Sequence, residues 1–185
     1  RQILHTTKSV GEKKVKSAAA AIAELNDKVA TKLYDERLTA KNAGKIFKDY
    51  DLVLDGSDNF ETRYVVNEAC VKSGIPLVHG SILRYTGQLS VFDPKNGGPC
   101  YSCVYPEPPP AEVAPSCAEA GVLGVIPGII GTMQGLEALK IIAGFGEKII
   151  GKLLIFDGLT CRMKMLGVKR DVGCKVCSGD GKMVR

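Results

Sequence analysis

The chain has 185 residues, 45% of them hydrophobic and 24% charged, with a formal net charge of +5 and seven cysteines. Such a length and composition fit one globular domain, or one domain with a small appendage, and exclude a disordered chain. The positive charge is spread along the sequence and only 6% of residues are aromatic, none of them Trp, which argues for anionic ligands in general and against a base-stacking nucleic-acid platform.

No run of 18 apolar residues free of charge occurs, and the start of the chain lacks the apolar core of a signal peptide. The expectation is a soluble, cytoplasmic protein with neither membrane nor nucleic acid as partner.

Taken in chain order, the first predicted helix runs from about Gly11 to Leu25. Val15, Ala19, Ile22 and Leu25 fall near helical spacing, and Ala18 to Ala21 favour helix. Lys13, Lys14 and Lys16 crowd its first turns, where the helix dipole disfavours cations. A solvated lysine face is the ordinary explanation; an approaching anion is the other. Val29 to Leu33 alternates weakly and predicts a strand, and Thr39 predicts the cap of a short helix ending near Lys48.

The next stretch, Asp51-Leu-Val-Leu-Asp-Gly-Ser-Asp-Asn59, organises the rest. Leu52, Val53 and Leu54 predict a parallel strand covered on both faces, and Gly56 permits a tight turn. Ser57, Asp58 and Asn59 then place oxygens just past the strand's carboxyl end, where open α/β sheets bind ligands. Phe60 to Ser73 predicts a helix, with Gly74 as its stop. Asp58 has two readings at this point. It can form an Asp-x-x-Glu capping box with Glu61, or it can serve chemistry in the same turn.

Ile75 to Gly80 predicts another strand, paired antiparallel with Gly87 to Phe92 through a turn at Arg84-Tyr-Thr86. An irregular excursion follows to Ala120, rich in Pro and Cys. A long helix is predicted over Val122–Ala143, with Gly124, Gly128, Gly131 and Gly135 permitting close approach of another backbone. Lys152 to Phe156 and Cys161 to Val168 predict an antiparallel edge hairpin through Asp157-Gly158.

Two motifs carry chemistry on spacing alone. Cys100-Tyr-Ser-Cys103 and Cys174-Lys-Val-Cys177 are Gly-flanked pairs that match a closed, structural zinc site made of four thiolates. A thioredoxin-like redox pair is the rival, and it is set aside because neither pair is expected to open a helix after a strand. Cys117 stands alone before the long helix, either as a nucleophile or as an idle loop cysteine. Cys70 and Cys161 read as packing residues inside a helix and a strand.

Arg1-Gln-Ile-Leu-His5, Val10-Gly-Glu-Lys-Lys14, Asp55-Gly-Ser-Asp-Asn59, Pro99-Cys-Tyr-Ser-Cys103, Pro106-Glu-Pro-Pro-Pro-Ala111, Cys117-Ala-Glu-Ala-Gly121 and Gly173-Cys-Lys-Val-Cys177 occur in that order. Together they closely resemble the MoeB/ThiF/HesA family of adenylyltransferases, relatives of the ubiquitin-activating enzymes, with a proline-rich loop of the MoeB type. The resemblance implies an α/β, Rossmann-like fold: a mostly parallel sheet, an antiparallel C-terminal hairpin and a zinc-tied loop, with knuckles at 97–105 and 173–179. It implies an enzyme that uses ATP and Mg²⁺ to adenylate the C-terminal glycine of a ubiquitin-like sulfur carrier, for molybdopterin, thiamine or thiolation chemistry, working as a homodimer.

Residue by residue, the resemblance makes Arg1 and Lys14 nucleotide contacts and Asp58 the magnesium carboxylate, with Asn59 beside it. Cys100, Cys103, Cys174 and Cys177 would hold Zn²⁺, and Cys117 matches a cysteine that in some members carries a thioester or persulfide. The family's Gly-rich phosphate loop and ribose-binding acid precede the arginine matched by Arg1 and find no counterpart in this sequence. Residues 1–185 are therefore expected to be the C-terminal portion of a single adenylyltransferase domain, inactive alone. The alternative is a non-catalytic zinc-stapled module that binds such a carrier or a sibling subunit.

Overall fold

The computed structural model of the chain describes residues 2–110 and 121–178. They form two compact units, one ending at Arg37 and one beginning at Leu38.

The first unit contains a 3-10 turn at Thr7–Ser9 and one α-helix, α1 (Lys14–Leu25), among its described residues. It starts three residues later than expected, with Lys13 at the N-cap. The lysine question resolves locally for Lys13, whose ammonium pairs with Asp35. Lys14 and Lys16 are exposed, and so is Leu25, expected on the apolar stripe. The strand expected at Val29 to Leu33 is absent: both of those side chains are exposed and no strand among the described residues pairs with the segment. Weak alternation without a ladder partner leaves backbone groups to water, so no strand forms.

The second unit carries the sheet. In chain order it contains α2 (Ala43–Phe47), β1 (Val53–Asp55), α3 (Phe60–Ser73), β2 (Leu77–Leu83), β3 (Thr86–Phe92), α4 (Tyr101–Val104), α5 (Ile126–Ala143), β4 (Lys152–Asp157) and β5 (Arg162–Gly167). The strands lie in the order β1-β2-β3-β4-β5. β1 and β2 are parallel, and the remaining neighbours are antiparallel. The α/β class and the C-terminal hairpin are as expected, with the parallel part confined to β1–β2 among the described residues.

α3 keeps its expected bounds, and Gly74 ends it in the left-handed conformation, with φ 64°. α2 is capped by Asn42 rather than Thr39, whose N–H bonds the Asn42 Oδ1 at 2.7 Å. α5 begins at Ile126, four residues later than expected, with Pro127 in its first turn.

The sheet divides two cores by the period-2 alternation of its side chains. On one face Leu77 and Phe92 pack with Phe47, Val66 and Ala69 of the α2–α3 layer and with Tyr101. On the other, Val78, Leu89 and Val91 pack under Ile126 and Ile130 of α5. α5 comes that close because β2 and β3 carry glycines beneath it. A Cβ on Gly80 would meet the Gln134 side chain at 2.4 Å, and one on Gly87 would meet Ile130 at 2.4 Å. Gly128, Gly131 and Gly135 of α5, and Gly124 ahead of it, have open space, with nothing within 4 Å of a Cβ built there. Close approach of α5 to the sheet is thus made by the sheet glycines, while the glycines of α5 and Gly124 lie open within the single chain.

Two further expectations change. Leu54 is 49% exposed because β1 is the outermost strand among the described residues, so the organising strand is not covered on both faces. Cys161 is exposed in the β4–β5 turn, at φ 52°, rather than packed within a strand. Cys70 is buried as expected, and burial pushes its thiol up to about 12. No described helix is long and apolar enough to cross a membrane.

Candidate active site and metal centre

The turn from β1 into α3 is the local event that builds the site. Asp55 ends β1 with a buried side chain and faces His79 directly across the parallel pair. Its Oδ2 lies 2.9 Å from His79 Nδ1, and its Oδ1 accepts the Ser57 N–H at 2.9 Å. Burial works against the Asp55 charge, but the hydrogen bond and charge of His79 and the Ser57 N–H outweigh it and hold the carboxyl below its ordinary value. Asp55 is therefore ionised, and His79 Nδ1 carries the proton in this bond.

The backbone of the turn is gripped as well. Gln134 Nε2 reaches down from α5 to the Asp55 carbonyl at 2.8 Å and to the Val78 carbonyl at 3.1 Å. Arg63, in the first turn of α3, donates Nη2 and Nε to the Ser57 carbonyl at 3.1 and 3.3 Å.

The N-cap of α3 is Asn59, not Asp58. Asn59 Oδ1 accepts the Thr62 N–H at 2.8 Å. The Asp58–Glu61 capping box is thereby overturned, because the chain enters the helix one residue later than that box requires. Asp58 is left exposed, and its Oδ1 accepts a 3.5 Å bond from Asn59 Nδ2.

Asp58 and Asn59 stand on the wall of a cavity of about 920 Å³. Arg63, His79, Arg84, Tyr101, Tyr105 and Glu107 line it as well. Tyr101 packs edge-on to His79, Tyr64 and Phe92, and Tyr105 OH donates to Gln88 Oε1 at 2.8 Å. Such a cavity, with aromatic rings beside carboxylate, amide and guanidinium groups, suits a ligand that is part apolar and part charged.

The four paired cysteines converge. Cys100 Sγ is 3.6 Å from Cys174 Sγ, Cys103 Sγ is 3.4 Å from Cys177 Sγ, and all four ligand atoms lie within 4.8 Å of one another. A tetrahedral zinc–thiolate site, with Zn–S of about 2.3 Å, has sulfur–sulfur edges of roughly 3.8 Å. Cys100 and Cys103 of one pair are 3.8 Å apart, no closer than the contacts between pairs. That near-equality disfavours a redox pair. Cys100 caps the one-turn helix α4, but a 3-10 turn at Pro94–Asn96 separates that helix from β3, so neither pair opens a helix directly after a strand.

The thiol chemistry agrees with a cation. Burial and then the neighbouring Cys103 charge push Cys100 up to about 11, and burial followed by the Cys103 sulfur raises Cys177. Burial opposes ionisation of Cys174 too, but N–H groups of Cys177 and Val176 outweigh it and bring that thiol down. Burial holds Cys100 and Cys177 in the thiol form, a cost that a divalent ion at the centre offsets. The residues fit zinc.

Asn67 ties this centre to the helix that starts at the active turn. Fully buried on α3, it accepts the Tyr101 N–H at 2.8 Å and donates to Ser102 Oγ at 3.1 Å. Of the remaining sequence candidates, Lys14 opens α1 in the first unit, and Arg1 and Cys117 lie outside the described residues. Sequence reasoning missed His79, Gln134, Arg63 and Asn67. The usable signal was polarity out of place: His79 interrupts the apolar Leu77-Val78 run, and Gln134 interrupts the most apolar helix.

Comparison with known proteins adds four findings. The profile described as the ThiF family matches residues 1–176. A sulfur carrier protein adenylyltransferase of Thermus thermophilus is 46% identical over 184 residues, covering 97% of this chain and 68% of that protein. An adenylyltransferase and sulfurtransferase MOCS3 of Drosophila virilis is 46% identical over 179 residues, covering 96% of this chain and 40% of that protein. Among solved structures, E. coli MccB with AMPCPP and MccA superposes with a TM-score of 0.81 at 16% identity, over 97% of this chain and 55% of that one. At that identity the likeness speaks for the fold alone.

Proposed function

This chain belongs to the ThiF family, and from that membership we propose that the protein adenylates the C-terminal glycine of a ubiquitin-like sulfur carrier. The observation that carries the reading is the released carboxylate of Asp58. It does not cap α3, and it stands with Asn59 on the wall of a cavity of about 920 Å³ lined by Arg63, Tyr101 and Tyr105.

In the proposed reaction a carboxylate oxygen of the carrier's terminal glycine bonds to the α-phosphorus of ATP. The bond from that phosphorus to the oxygen bridging toward the β-phosphate breaks, and pyrophosphate leaves. Mg²⁺, held by Asp58, would offset the negative charge that gathers in this step. Asn59 would orient groups beside it, and Arg1 and Lys14 would contact the nucleotide. The zinc centre has no part in the bond changes. It would tie the loop carrying α4 to the C-terminal knuckle and so hold Tyr101 and Tyr105 against the cavity.

Residues 1–185 are read as the C-terminal portion of one such domain; the chain spans 68% and 40% of the length of the two relatives. Cys117 is assigned to sulfur transfer after adenylation, because the carrier's own carboxylate is the nucleophile in the first step. The choice between molybdopterin, thiamine and thiolation carriers is made by pyrophosphate exchange. The full-length protein with ATP and each Gly-Gly-terminated carrier should exchange label with one of them, with Cys117→Ala exchanging as well. Absence of exchange with every carrier would overturn the reading.

A further inference from the structure

We propose that His79 is a positioning residue of this site: through its hydrogen bond to Asp55 it holds the β1–α3 turn in the shape that presents Asp58 to the cavity. The inference rests on the reading of Asp58 given above.

His79 and Asp55 are both buried, with 1% and 3% of their side chains exposed, and they are register partners on adjacent strands. Every acceptor of Asp55 is engaged: Oδ2 by His79, Oδ1 by the Ser57 N–H and the carbonyl oxygen by Gln134. The Ser57 carbonyl is held by Arg63. The turn is therefore latched up to Ser57, and Asp58 is the next residue. Gly56 contributes no side chain to this latch, so the Asp55 carboxylate is what orients the Ser57 amide. Phe92 and Tyr101 confine the imidazole, with ring centroids at 6.0 and 4.9 Å.

Removing the Nδ1 donor leaves a buried carboxylate without the partner that keeps it ionised. It then protonates or turns toward water, and in either case its bond to Ser57 weakens. Asp58 loses its fixed position without being touched. Outer groups that orient a metal-binding carboxylate in this way change affinity or rate by about 10- to 100-fold.

The test uses the full-length protein, ATP and a Gly-Gly-terminated ubiquitin-like sulfur carrier, with amide hydrogen exchange at Ser57 as a second readout. In His79→Ala, Ser57 exchange should rise and kcat should fall by about 10- to 100-fold, with KM for ATP within about threefold. His79→Asn, whose amide donates from near the Nδ1 position, should restore both. His79→Gln, whose donor lies near Nε2, should not. Wild-type Ser57 protection and kcat in His79→Ala would overturn the inference, as would equal rescue by Gln and Asn. If His79→Ala does not fold, the Asn and Gln variants decide alone. Asp58→Asn run alongside separates the two readings: wild-type turnover by that variant refutes the role of Asp58, while Ser57 exchange still judges His79.

Discussion

Asn59 Oδ1 accepts the Thr62 backbone N–H at 2.8 Å, which assigns the cap of α3 to Asn59 and frees its neighbour Asp58 from that duty. Two adjacent residues that look interchangeable in sequence thus carry separable roles. Asp58→Asn should leave the melting temperature near that of the parent protein and abolish ATP–pyrophosphate exchange. Asn59→Ala should lose about 1 kcal/mol of stability, the usual cost of deleting an N-cap. Thermal melts beside exchange assays check both, and near-normal exchange by Asp58→Asn would remove it from the catalytic set.

The sulfur cluster predicts one zinc per chain. Binding should release protons, since burial keeps Cys100 and Cys177 protonated in the metal-free protein. Cys174→Ser should abolish stoichiometric zinc and make residues 99–104 and 173–178 accessible to protease together, because the four sulfurs join the two segments, with support from the Arg170 bonds to Pro94 and Cys177. Metal analysis of a folded, reduced preparation that finds no zinc would contradict this.

Gly80 predicts a stability effect that no backbone dihedral explains, since its φ is not in the left-handed region. A methyl group there would meet the Gln134 amide at 2.4 Å and displace it from its bonds to the Asp55 and Val78 carbonyls. Gly80→Ala should cost about 1–3 kcal/mol, the range for overpacking a close-packed core. Combining it with Gln134→Ala should recover part of that loss, as two sites sharing one space are not additive. Full additivity in urea melts would show that the two do not compete for this space.

The Asp55–His79 pair predicts acid sensitivity. Asp55 is ionised in the fold with its pKa below the ordinary 3.8, so the unfolded chain takes up the proton first. Its contribution is then fully present above that value and lost as pH falls through the folded pKa. The urea midpoint should drop as pH falls below the ordinary 3.8 in the parent protein, and less so in Asp55→Asn. Identical slopes in the two would remove Asp55 from the acid transition.

For the homodimer expected from the family resemblance, α5 offers the surface. Leu136, Leu139 and Ile142 are 48%, 57% and 68% exposed at three-residue intervals on its outer side. Leu139→Glu should shift sedimentation at micromolar concentration from dimer to monomer with the circular dichroism unchanged. A parent protein that sediments as a monomer would discard the idea.

What the sequence determined by itself was local. The bounds of α3 were legible because an N-cap oxygen and a left-handed Gly74 act within one helical turn of the residues they serve. The two Cys-x-x-Cys pairs were legible because each half-site needs only its own spacing, and the hairpin of β4 and β5 because Asp157-Gly158 marks a turn between two runs that follow one another in sequence. What the tertiary structure alone decided was every choice among partners distant in sequence. Val29 to Leu33 had alternation but no strand to complete its ladder. The helix glycines looked built for contact, yet the spare room was needed at Gly80 and Gly87, where the opposing side chains are large. Asp55 meets His79 only because parallel pairing sets those two residues at one register across 24 positions of chain. Register is a property of two strands at once, and no pattern within either strand contains it.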